Sequence, residues 1–231
     1  MSNAPLLTRL KGFRALILFL VCVVVFVGFP QIDLFVAGLF YDAQSDSFIY
    51  KNQPLVQFLY RLFAYIQIPV LLGLIVTGLL IKFKKVNFKH YKKWTITFLL
   101  LALILGPGLL VNTVIKNNSI GRARPVQVEN FGGHQTFTPA FVYSGACSKN
   151  CSFVSGHAAM GFYFMILGWL FTSRRAFWGG CLVGLALGFT RIVQGGHFLS
   201  DVLFAFWAVY FVTWGLAVLF GFKHPLDNKP S

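Results

Sequence analysis

His197 and Asp201 lie four residues apart in "TRIVQGGHFLSD" (190–201), a spacing that puts both side chains on one face of a helix. A carboxylate so placed can accept a hydrogen bond from one imidazole nitrogen, fix the tautomer and leave the other nitrogen free to attack. Arg191 precedes the pair, and Gly195-Gly196 allow a tight turn before His197. Alone, a His–Asp pair is more often a structural hydrogen bond. A second histidine changes the balance: His157 closes the triplet Ser155-Gly156-His157 in "CSFVSGHAAMGF" (151–162), where an apolar run opens. Ser155 offers a hydroxyl, the helix start offers free N–H groups, and Gly156 permits close approach of an anion. The plainer alternative is an N-cap serine with a flexible neighbour. A third string, "KNNSIGRARP" (116–125), brings Lys116, Arg122 and Arg124. Guanidinium forks match phosphate oxygens two at a time, although a lone arginine here usually only snorkels to a membrane interface. Pro125 stiffens the exit of this string.

These strings need elements to bring them together, and composition says which. The 231 residues are 57% hydrophobic and 17% aromatic with only 11% charged, outside the range of soluble domains. Apolar runs fall at 15–29, 62–81, 94–115, 158–172, 177–193 and 199–221. A bilayer crossing takes ~20 residues, and in lipid every backbone group must be satisfied within the segment. The expected architecture is all-α, an integral-membrane bundle of six transmembrane helices. No internal repeat, low-complexity tract or linker marks a second domain, so 1–231 reads as one membrane-embedded domain.

Most of the basic residues behind the net charge of +14 sit in alternate connections. Arg9, Lys11 and Arg14 lead the first run; Lys82, Lys84, Lys85, Lys89, Lys92 and Lys93 fill the 82–93 loop; Arg174 and Arg175 follow the fourth run, and Lys223 and Lys229 lie in the tail. The positive-inside rule then puts both termini in the cytoplasm. The excess serves topology and anionic lipid headgroups, with no nucleic-acid partner. A basic lead and short apolar core also fit a signal peptide, but no small-residue cleavage site follows 15–29. The three polar strings all fall in the opposite connections, 116–157 and 194–198, at one membrane face. Ionisable groups at helix ends there mark a site.

In order and spacing the strings resemble the signature of the type 2 phosphatidic acid phosphatase superfamily, the integral-membrane lipid phosphatases. Its pattern is Lys, six residues, Arg-Pro; then Pro-Ser-Gly-His; then Ser-Arg, five residues, His, three residues, Asp. Here these are Arg124-Pro125, Ser155-Gly156-His157, and Arg191, His197 and Asp201. Three positions depart: Lys116 is one residue too far from Arg124, with Asn117 in its place, Val154 replaces Pro, and Thr190 replaces Ser. A one-residue bulge at a helix exit would restore the lysine. The resemblance implies a site at the periplasmic face of a bacterial inner membrane. It implies His197 as nucleophile, Asp201 as its partner and His157 as general acid. Arg191, Arg124, Arg122, Ser155, Gly156 and Lys116 would bind the phosphoryl group, and no cofactor is expected. Of six carboxylates, Asp201 alone is expected in the cluster, so no magnesium or zinc ligand set is evident.

Cys22 and Cys181 fall inside apolar runs as small core residues. Cys147 and Cys151 lie in the outer connection, where a disulfide is expected; a zinc site with His157 is the alternative, short of a fourth ligand. The stretch "CSKNCSF" and its surroundings are similar to the bacterial lipid A phosphatases, most closely the lipid A 4′-phosphatase group. Undecaprenyl diphosphate and phosphatidylglycerophosphate phosphatases share the core strings and stay open, because acyl-chain fit depends on grooves between helices. A non-catalytic lipid transporter is the alternative of another class, and it would not need two histidines in register with Arg191 and Asp201. A phosphorylated membrane lipid is the expected partner; the sequence leaves the oligomeric state open.

Overall fold

The computed structural model describes residues 4–83, 94–116 and 120–227. Lys84, Lys85, Lys89, Lys92, Lys93, Asn117 and Lys229 lie outside them, as do the side chains of Arg9 and Lys11. The chain is predominantly helical. Helix α1 (Ala4–Gly28) breaks at Phe29-Pro30 into the short α2 (Gln31–Gly38), and Phe13–Gly28 and Gln31–Gly38 meet at 80°. A two-stranded hairpin, β1 (Tyr41–Asp42) and β2 (Ser47–Phe48), leads to α3 (Pro54–Tyr65), opened by Pro54 at its first turn. Then come α4 (Gln67–Lys82), α5 (Thr95–Leu103) and a π-helix over Ile104–Ile115. After the long connection follow α6 (Gly156–Tyr163), α7 (Ile166–Phe171), α8 (Arg174–Val193) and α9 (Leu199–Leu219).

Four of these segments are long and apolar enough to cross a membrane: Pro54–Lys82, Thr95–Ile115, Arg174–Val193 and Leu199–Leu219. Counting the bent α1–α2 pair as one span gives five. The expected fourth span is the apolar pair α6–α7, Gly156–Phe171, which falls short of that length. None of the most apolar window of Pro54–Lys82 is buried, and Ile68, Leu72, Val76 and Leu79 are exposed along α4. Apolar surface of this extent suits a lipid environment.

The core is aromatic and tight. Phe98, Phe162, Trp169, Phe204 and Val209 are buried together where α5, α6, α7 and α9 meet. α6 packs on α8 through glycines: a Cβ on Gly161 would stand 2.7 Å from the Gly184 Cα. Small residues let helix backbones approach this closely. Gly161 lies one turn below His157 and Gly184 two turns below Arg191, so this contact sets how near those residues come. At the same end, the hairpin and the 120–155 connection form a lid over a second cluster of Ala37, Phe48, Val128, Phe131 and Phe198.

Helix polarity puts Lys82, Arg174, Arg175 and Lys223 at one end of the bundle. The ends of the π-helix and α8 and the starts of α6 and α9 share the other.

Candidate active site

The spacing of Arg191, His197 and Asp201 is the anatomy of one helix reversal. Arg191 occupies the last turn of α8, and its carbonyl accepts from the N–H groups of Gly196 (2.9 Å) and His197 (3.3 Å). Gly195 turns the chain at φ +66°, where a side chain would also strike Phe48. Gly196 has no room for a Cβ beneath the Arg191 guanidinium. Asp201 follows in the first turn of α9, where its Oδ2 accepts from the Phe198 N–H at 2.8 Å.

The Ser-Gly-His turn is tied to this reversal directly, because the Ser155 N–H donates to the Asp201 carbonyl at 3.0 Å. Ser155 caps α6 by accepting from the Ala158 N–H at 3.4 Å, which leaves its own hydroxyl proton free for another acceptor. His157 stacks on Tyr60 of α3 with ring centroids 4.8 Å apart. The Arg191 guanidinium also lies over the Tyr60 ring, 4.6 Å from its centroid. His157 Nε2, Arg191 Nε and His197 Nδ1 are buried without a hydrogen-bond partner among the described residues. Buried polar atoms are normally paired; His197 Nδ1 faces Asp201, and the other two suit a ligand rich in acceptors.

Lys116 reaches the same place. Its Nζ would stand 3.6 Å from a Cβ on Gly156, a position that the Asn112 side chain also crowds. The π-helix explains how. Pro107 cannot donate the α-helical bond, and the turns beyond it run i→i+5, ending with the Lys116 N–H on the Val111 carbonyl. Wider turns take up more residues each, and Lys116 at the end of this helix comes to lie beside Gly156. Arg124 donates to the Asn150 carbonyl at 2.9 Å at the rim.

Burial, with the Arg124 and Arg191 cations beside it, pushes the Lys116 ammonium down to about 7. It therefore sheds its proton as pH rises through neutrality, and anion affinity should fall with it. We expect kcat/KM for a phosphate ester to decline above pH ~7 in the wild type. Lys116→Met should flatten that limb, whereas Lys116→Arg should move it to higher pH; an unchanged limb in Lys116→Met would detach Lys116 from phosphate. Burial and the cations Lys116, Arg191 and Arg124 likewise hold His197 well below the ordinary imidazole range, so its ring is neutral at neutral pH.

Two expectations require correction. Arg122, expected at the phosphate, has a fully buried side chain. It donates to Thr138 O, Ser200 Oγ, Asp201 Oδ1 and Asp33 Oδ2, each at 2.8 Å, and it lies over the rings of Phe198 and Phe137. Four of its five N–H donors are thus directed at the protein. Asp201 was expected to be the sole carboxylate of the cluster and to bond His197; Asp33 joins it, and His197 Nδ1 stands 3.5 Å from Asp201 Oδ2. That oxygen is already taken by the Ser152 hydroxyl at 2.5 Å and the Phe198 N–H, which is why the contact is longer than a hydrogen bond. Sequence reasoning missed Asp33, Tyr60, Asn112 and Ser152. Asp33 carried a usable signal, as a lone acid inside the apolar stretch "QIDLFVAG". Cys147 and Cys151 are joined in a disulfide, which removes both thiols from the zinc alternative.

Residues 94–225, more than half of the chain, match the PAP2 superfamily. The chain belongs to the PAP2 superfamily. Among curated relatives, it is 41% identical over 197 residues to a lipid A 4′-phosphatase of Francisella tularensis subsp. novicida (strain U112), covering 82% of this chain and 86% of that protein. A lipid A 4′-phosphatase of Rhizobium leguminosarum is 31% identical over 194 residues, 78% of this chain and 83% of the relative. A lipid A 1-phosphatase of Rhizobium etli is 34% identical over 114 residues, 49% and 45% of the two chains. No solved structure matches the chain. The PAP2 match spans every residue of the reversal, the Ser-Gly-His turn and the cation string; Asp33 and Tyr60 lie outside it.

Proposed function

We propose that this protein is a lipid A phosphatase that hydrolyses a phosphomonoester, the 4′-phosphate, through a phosphohistidine. The observation that carries the reading is the convergence of His197, His157, Arg191, Arg124 and Lys116 at one end of a lipid-exposed helical bundle. His197 Nε2 attacks phosphorus as the bond from phosphorus to the sugar oxygen breaks. His157 gives that departing oxygen its proton. Asp201 stabilises the positive charge that develops on the His197 ring. Water then attacks the phosphohistidine, passing a proton to His157, and releases inorganic phosphate and neutral His197. Arg191, Arg124, Lys116, the Ser155 hydroxyl and the Gly156 N–H bind the phosphoryl oxygens as charge develops. The lipid tails stay among the exposed apolar faces of the bundle.

The deciding experiment is phosphate release by purified protein on lipid A, undecaprenyl diphosphate and phosphatidylglycerophosphate in parallel, with and without EDTA. Lipid A should be cleaved at the 4′-position in preference, and chelation should leave the rate unchanged. The carboxylates of the site support metal independence, since Arg122 holds both Asp33 and Asp201. Preference for another lipid would reassign the substrate, and a rate lost to EDTA and restored by a divalent ion would end the metal-free mechanism.

The topology proposed is six spans, with the bent α1–α2 pair and the short α6–α7 pair each counted as one, both termini cytoplasmic, and catalysis at the periplasmic face of the inner membrane. The basic residues at the opposite end of the bundle support it. Single cysteines placed in the 82–93 and 126–150 loops should differ in reaction with a membrane-impermeant thiol reagent in whole cells. Labelling of the 82–93 loop from outside would invert the arrangement.

A further inference from the structure

Asp33 is the charge the chemistry above does not use. It is fully buried, brought to the site end by the 80° bend between α1 and α2. Its Oδ1 accepts from the Ser200 N–H at 2.8 Å, and its Oδ2 accepts from the Ser200 hydroxyl at 2.5 Å and Arg122 Nη2 at 2.8 Å. The same guanidinium donates through Nη1 to Asp201 Oδ1 at 2.8 Å. One cation therefore stands between two carboxylates, and the second of these faces His197 at 3.5 Å.

Pairing alone does not require this arrangement. An Arg122–Asp201 pair without Asp33 would already be neutral, and a guanidinium with one carboxylate tends to grip both of its oxygens. Either outcome weakens Asp201 as a partner for a histidine that must become positive. The other groups around His197 make this matter, because Lys116, Arg191, Arg124 and His157 all oppose positive charge on its ring. We propose that Asp33 is a positioning residue: by sharing Arg122 it leaves the Asp33–Arg122–Asp201 set one net negative charge and keeps Asp201 Oδ2 turned toward His197. Ser200 fastens the set, since its hydroxyl donates to Asp33 and accepts from Arg122 Nη1 at 2.8 Å. The inference rests on the phosphatase reading and adds to it a residue from the N-terminal helices.

The test uses the full-length protein in detergent and any phosphate ester the wild type cleaves. Asp33→Asn keeps the shape of the side chain and removes its charge, with one acceptor oxygen replaced by an amide donor. Its kcat should fall by about 10–100-fold, the usual cost of disturbing a group that orients a reacting one, while KM stays within about twofold because Asp33 does not touch substrate. The acid limb of kcat/KM should also move to lower pH, since removing a negative charge makes the His197 ring harder to protonate. Asp33→Glu, which keeps the charge, should recover part of the rate. If Asp33→Asn does not fold, Ser200→Ala, which loosens the same set, should lower kcat several-fold with KM held. An unchanged kcat per folded enzyme, a loss confined to KM, or an unmoved acid limb would overturn the proposal. A wild type that releases phosphate from no ester would overturn the phosphatase reading itself and take this inference with it.

Discussion

Replacing His197 with alanine should reduce phosphate release by on the order of 10⁴-fold or more, with expression and helix content unchanged. The size follows from the role: a nucleophile that forms a covalent intermediate has no substitute, and what remains is the contribution of binding and charge stabilisation. The ring is buried at the helix reversal, against the cations of the site. Its removal leaves a small cavity beside α9 but breaks no backbone bond, since the His197 N–H to Arg191 carbonyl contact is independent of the side chain. Phosphate release and circular dichroism on the same preparation give the answer. Turnover that survives would remove His197 as nucleophile, and a lipid transporter on this scaffold would then be the better reading.

A second large effect separates two residues of one turn. His157→Ala should cost ~10²–10⁴-fold on a lipid substrate, the usual worth of general acid catalysis. On a nitrophenyl phosphate the deficit should shrink, because a stable phenolate departs without a proton. Ser155→Ala should cost ~10–100-fold, as expected for one hydrogen bond to a charged group. That loss should be the same on both substrates, which present one phosphoryl group. The measured quantity is the ratio of the two deficits for each variant. Equal damage to His157→Ala on both esters would make His157 a binding or structural residue, a role its stack on Tyr60 would also suit.

Much of this arrangement was legible in the residues themselves. Hydropathy located the four helices long and apolar enough to cross a membrane, and the three strings converge at one end because helix polarity leaves them nowhere else to meet. The spacing of Arg191, His197 and Asp201 encodes a reversal whose hydrogen bonds are short in sequence. What escaped was long-range. Asp33 pairs with Arg122 across 89 positions, and although Pro30 marks where α1 must stop, nothing local sets the 80° at which α2 leaves it. Arg122 and Arg124 look alike in "GRARP", yet one is buried between phenylalanine rings and carboxylates and the other stands at the rim. Only the tertiary surroundings distinguish them. The span count was harder for another reason: α6–α7 and the bent α1–α2 pair are apolar without being long and straight.

The π-helix before Lys116 bears on how such enzymes are found in genomes. A search template that fixes six residues between lysine and Arg-Pro treats distance along the chain as if it were distance in space. Over Ile104–Ile115 the helix winds more loosely, and the Lys116 ammonium at its end still lies beside Gly156 although it stands one residue too far from Arg124 along the chain. A chain that such a template would discard can still assemble the complete set of cations. Filters for these proteins should therefore let the lysine slide by a residue whenever proline interrupts the helix that carries it.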